Sequence, residues 1–153
     1  MNNINTIKPN IYLQRTLKSK IHFSGVGVHN GRAVSMCIEP AEADTGIIFY
    51  RTDMENNNII KAVIDNVTVS RLCTKIKNSS GIFVSTIEHL MAALSGLGID
   101  NAIVKINSSE LPALDGSSHE YVKKIINSGI KVLDKSKKIF KIIKKIEVKS
   151  EDR

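Results

Sequence analysis

Val84-Ser85-Thr86-Ile87-Glu88-His89-Leu90-Met91-Ala92-Ala93-Leu94-Ser95-Gly96 reads as an amphipathic helix. Ile87, Leu90, Met91 and Leu94 recur at helical spacing, so one face is committed to a core, and Gly96 supplies a stop. Ser85 with Glu88 three residues on has the spacing of a capping box. Glu88 and His89 lie off the apolar face with Ala92 and Ala93 one turn below them, which leaves a polar side that a ligand can approach closely. Zinc hydrolases need an imidazole on the metal and a carboxylate that takes a proton from the attacking water, so Glu88 would suit a general base and His89 a metal ligand. The same two residues also fit a plain capping Glu and a solvated His, and the pair alone leaves both readings open.

A one-faced helix needs a sheet, and the flanks supply strands. Upstream, Leu72-Cys73-Thr74-Lys75-Ile76-Lys77 and Ile82-Phe83-Val84 bracket Asn78-Ser79-Ser80-Gly81, a hairpin that delivers the chain to Ser85. Downstream, residues 100–107 read as a strand and 111–116 as a loop. Ser117 and Glu120 then repeat the capping-box spacing for a second helix, with Tyr121, Val122, Ile125 and Ile126 as its core stripe and Gly129 as its stop. Further upstream, residues 16–24 alternate as one half-buried strand, Asn30-Gly31 signals a hairpin, and residues 32–39 form its second arm up to Pro40. Residues 47–51 are apolar enough for a buried strand, and 59–69 are extended with an uneven phase. Residues 1–9 read as polar and frayed. Two similar helices on one mixed sheet make an α+β two-layer sandwich.

With 153 residues, 42% of them hydrophobic, the chain fits one domain of ordinary size. Aromatic residues are 5% and Trp is absent, so no base-stacking platform is evident. Cys37 and Cys73 make no disulfide framework, no stretch has the order of a signal peptide, and no apolar run approaches membrane-spanning length, so a cytoplasmic protein without a membrane span is expected. The net charge of +7 is local: residues 135–149 hold seven lysines and one acid, a net of +6, which leaves +1 for the other 138 residues. A basic face spread over the fold is therefore not expected, and no specific nucleic-acid binding is either. Residues 139–148 fit both a basic amphipathic helix and an interrupted strand. The polar run 134–138 reads as a linker, giving a domain at 12–133 and, at 134–153, a linker with the truncated start of a second domain.

Taken in order, several segments resemble the N-terminal half of UDP-3-O-acyl-N-acetylglucosamine deacetylases, zinc amidohydrolases of lipid A synthesis in Gram-negative bacteria. They are Gln14-Arg15-Thr16-Leu17, Gly25-Val26-Gly27-Val28-His29-Asn30-Gly31, Asp44-Thr45-Gly46-Ile47, Arg51-Thr52-Asp53, Leu72-Cys73-Thr74, Ser85-Thr86-Ile87-Glu88-His89-Leu90, Gly96-Leu97-Gly98-Ile99-Asp100-Asn101 and Asp115-Gly116-Ser117. The resemblance implies that Glu88 is the general base and His89 a Zn2+ ligand, that His29 lies near the site, and that Leu72 and Cys73 line the cleft for a UDP-sugar lipid precursor. The family's remaining zinc ligands, in a His-Lys-x-x-Asp pattern, and a second catalytic His have no counterpart after Asp100, so the resemblance implies an incomplete site that a separate C-terminal half would complete. The alternative is a non-catalytic fragment acting as a binding domain.

Overall fold

The computed structural model describes residues 12–149. The elements in order are β1 (Leu13–Leu17), β2 (Ile21–Val26), β3 (Ala33–Pro40), β4 (Ile47–Arg51), β5 (Ile59–Lys61), β6 (Val67–Thr68), β7 (Lys75–Lys77), β8 (Phe83–Ser85), α1 (Glu88–Gly96), β9 (Ala102–Ile106), α2 (His119–Ser128) and β10 (Ile130–Ser136). Five strands form a mixed sheet in the order β2-β3-β9-β4-β5, antiparallel except where β4 runs parallel to β9. A three-stranded sheet β6-β7-β8 and the antiparallel pair β1-β10 complete the α+β fold.

The core follows from strand alternation and the α1 stripe. Phe23, Met36, Ile38, Phe49, Val104 and Ile106 are buried on the sheet face that meets Ile87, Leu90, Ala93 and Leu94 of the helix region. Each large side chain removed from water here adds about 1.5–3 kcal/mol. α2 packs on α1 and on β2, with the Tyr121 ring 4.9 Å from that of Phe23 and its hydroxyl donating to the Pro112 carbonyl.

Several motif segments turn out to be a polar clamp. The Gln14 side-chain amide donates to Asp44 Oδ1 and its oxygen accepts from the Asp44 amide and from Asn101 Nδ2. Thr16 Oγ1 donates to the Asn101 carbonyl and accepts from the Ala41 amide, while Asn101 Oδ1 accepts from the Gly46 amide. Gln14, Thr16 and Asn101 are all buried, so each needs these partners to offset desolvation. The network fastens β1 to the main sheet without a ladder between them.

Arg51 plays the same part at the end of β4. Buried, it donates through Nε and Nη2 to the two oxygens of Asp53 at 2.7 and 2.6 Å, and through Nη1 to the Phe83 carbonyl at 2.8 Å. Arg51→Ala is expected to cost about 3 kcal/mol by orphaning these acceptors, which in a domain of this size lowers Tm by roughly 10 °C. Arg51→Lys should recover only part of that, because one ammonium cannot make the forked contact. Thermal melting checks both.

The structure corrects several readings. Neither helix has its capping box: Ser85 ends β8, α1 is preceded by Ile87 without a side-chain cap bond, and α2 is preceded by Ser118 without one. Glu88 instead accepts from the Thr74 amide, and Ser117 Oγ, while donating to Asp115, accepts from the amide of His119 at the start of α2 rather than from that of Glu120. The single strand read at 16–24 is two, broken at residues 18–20, because β1 pairs with β10 and β2 with β3. Residues 59–69 are split by a 3-10 turn, Ile64–Asn66. Ala93 is buried rather than on the open side of α1, and Ile126 is exposed rather than in the core stripe. The polar stretch at 1–9 lies outside the described residues.

At the other end, β10 runs through residues 134–136, where a linker was expected, and the Lys137 amide donates to the Tyr12 carbonyl. Lys135 pairs with Asp44 and Lys137 with Asp100, so two of the tail's cations belong to the folded body. From 138 to 149 the chain forms neither helix nor strand, and Ile139, Phe140, Ile142, Ile143, Ile146 and Val148 are exposed. We propose a domain edge after Lys137, and trypsin is expected to cut first between Lys138 and Lys149. Fragment masses showing simultaneous cleavage within α1 would remove that edge.

Candidate active site

An open groove of about 420 Å³ is lined by His29, Ser70, Arg71, Leu72, Cys73, Lys75, Phe83 and Ser85. It brings together three residues from distant parts of the chain, His29 in the β2–β3 connection and Leu72 and Cys73 ahead of β7. Leu72 is 83% exposed at φ +61, a left-handed conformation that a branched side chain adopts at a cost of about 1–2 kcal/mol. Cys73 Sγ lies 2.9 Å from Ser70 Oγ. The Lys75 ammonium sits 5.1 Å from the centre of the Phe83 ring.

Glu88 reaches this groove through the backbone. Its Oε2 accepts from the Thr74 amide at 2.9 Å, the residue after Cys73, so the first turn of α1 is tied to the groove wall. His89 follows in the same turn, half-buried, and its carbonyl accepts from Ser118 Oγ at 2.9 Å, which joins the starts of the two helices. Among the described residues no three of His, Cys, Asp and Glu stand close enough to hold a metal. A hydrolytic zinc takes about three protein ligands, so this donor set does not by itself make a zinc centre. His22 and Cys37 pair across β2 and β3, with Sγ 3.8 Å from Nε2, on strands away from the groove.

One residue that pattern reading missed stands beneath the groove. Glu110, 1% exposed, accepts from the amides of His29 and Asn30, both at 2.9 Å, and from Thr86 Oγ1 at 3.1 Å. A lone acid abutting the apolar Leu111-Pro112-Ala113-Leu114 is the one sequence signal that pointed to it. Burial by itself would raise its carboxyl; the two amides and the hydroxyl outweigh burial and hold it below its ordinary value of 4.5. A carboxyl depressed in the folded state adds stability that is present above the unfolded value and lost as pH falls through the folded one. Stability is therefore expected to drop as pH falls below 4.5, and Glu110→Gln to remove that share of the slope. Urea unfolding across this range is the measurement, and identical pH dependence in the two proteins would show that Glu110 titrates alike in both states.

The family profile described as UDP-3-O-acyl N-acetylglycosamine deacetylase matches residues 14–153. The chain belongs to this deacetylase family. It is 44% identical over 140 residues to the UDP-3-O-acyl-N-acetylglucosamine deacetylase of Shewanella frigidimarina, a match covering 92% of this chain and 46% of that protein. The deacetylase of Pseudoalteromonas atlantica gives the same identity and coverage, and that of Syntrophus aciditrophicus is 44% identical over 138 residues, 90% of this chain and 44% of the relative. The chain thus spans about half the length of the curated relatives it matches. Of the segments that carry the family resemblance, those around Gln14, Asp44, Arg51 and Asn101 serve the clamps described above, and those around His29, Leu72 and Glu88 meet at the groove.

Proposed function

We propose that this chain is the half of a UDP-3-O-acyl-N-acetylglucosamine deacetylase that carries the general base. The observation that supports this reading most is the link from Glu88 through Thr74 to a groove holding His29, Leu72 and Cys73. In this reading Glu88 takes a proton from the attacking water, the oxygen adds to the acetamide carbonyl, and the C–N bond breaks with the proton passed to nitrogen, giving acetate and a free amine. Arg71 and Lys75, in a groove with no carboxylate in its lining, suit the anionic diphosphate of a UDP-sugar. His89 would be one zinc ligand, with the others supplied by the part of the relatives' length that this chain does not cover.

The free thiols of Cys37 and Cys73 fit a reducing, cytoplasmic setting. No helix among the described residues is long and apolar enough to cross a membrane. A second reading, a non-catalytic binding domain, is favoured by the missing three-donor cluster among the described residues. Fusing the chain to the portion of the Shewanella frigidimarina deacetylase that it does not match separates the two. Acetate release from the UDP-sugar substrate is the expected result. A folded fusion that binds zinc and substrate without releasing acetate would favour the binding domain.

A further inference from the structure

We propose that Glu110 is a positioning residue of this site: one buried carboxylate clamps the His29 loop to the run-in of α1 and so sets where Glu88 and His89 stand. The inference rests on the deacetylase reading. Its three donors come from two segments more than fifty residues apart in sequence, the amides of His29 and Asn30 on one side and the hydroxyl of Thr86 on the other. The backbone around Glu110 is strapped to the same place. The Ser85 amide donates to the Ser109 carbonyl at 2.9 Å, and the Leu111 amide to the Ser85 carbonyl at 3.1 Å.

There is no slack on the loop side. A Cβ on Gly27 would stand 2.5 Å from the Glu110 carboxylate and closer still to the side-chain oxygen of Asn30, so one of those side chains would have to leave its present bonds. Thr86 is held at φ +58, a conformation that a β-branched residue leaves unless a bond keeps it there. Glu88 follows two residues later and has its own bond to Thr74. Relaxation of Thr86 would turn the first residues of α1 and break the register between Glu88 and the groove. A carboxylate can accept all three donors at once and leave each in a fixed direction.

The test uses Thr86→Val and Thr86→Ser. Valine keeps the β-branch and its strain and loses the hydroxyl, while serine keeps the hydroxyl. In the 153-residue chain, amide hydrogen exchange at Thr74, the residue Glu88 holds, is expected to speed up about tenfold or more in Thr86→Val and to stay near wild type in Thr86→Ser, with Phe49 and Val104 unchanged in both. In the fusion enzyme, Thr86→Val should lower kcat by roughly 10–100-fold with KM within about threefold, and Thr86→Ser should restore kcat. Unchanged Thr74 exchange in Thr86→Val overturns the proposal, as does equal loss of kcat in the valine and serine variants. A folded fusion without activity overturns the deacetylase reading and the catalytic consequence with it. The exchange result decides the clamp separately, because it does not depend on turnover.

Discussion

Glu88→Gln, made in the fusion that supplies the rest of the enzyme, is expected to lower kcat by roughly a hundred- to ten-thousandfold, the range for a lost general base. Glutamine keeps an oxygen for the Thr74 amide, so the tie between α1 and the groove wall survives and the fold should melt as wild type does. KM should change little, since the lost interaction belongs to the proton transfer and not to ground-state binding. Steady-state rates of acetate release with both parameters resolved are the measurement. A Glu88→Gln enzyme within threefold of wild type would move the base elsewhere; His29, in the same groove, is then the first residue to replace.

The second large effect concerns metal. The 153-residue chain by itself is expected to hold zinc weakly and to release no acetate, because its described residues bring no three donors together. The fusion should bind zinc tightly, and His89→Ala in it should weaken zinc by more than the roughly 10–100-fold that a lost outer partner costs. Competition with a chromophoric chelator reads both proteins. Tight, stoichiometric zinc in the chain alone that survives His89→Ala would place the ligands among His22, His29, Cys37 and Cys73. Only the first and third of these, and separately the second and fourth, share a location.

Local signals carried the outline. Alternation located β3 and, run together with the end of β1, β2; an unbroken apolar run located β4, the Asn78-to-Gly81 turn located the β7–β8 hairpin, and the Ile87-Leu90-Leu94 stripe located α1, because each is a property of neighbouring residues. The ordered motif segments were enough to indicate the family, and the adjacency of Glu88 and His89 was legible before any fold was known. Cap identities failed for the opposite reason. Ser85 and Glu88 have several partners within reach, and which one wins depends on what the rest of the chain brings near: Ser109 and Thr74.

What the sequence alone determined, then, is both helices, several of the strands, most of the buried stripes and a pair of residues with hydrolytic potential, all of them set by interactions within a few positions. The tertiary structure decided which motif residues hold the fold and which meet at the groove. Gln14 and Asn101 stand beside the site residues in the family pattern with nothing local to distinguish them, and long-range hydrogen bonds assign them to the clamp. Glu110 shows the same limit most sharply. Its charge can remain buried only because His29, Asn30 and Thr86 converge on it from segments that no local period relates, and that convergence exists only in the folded chain.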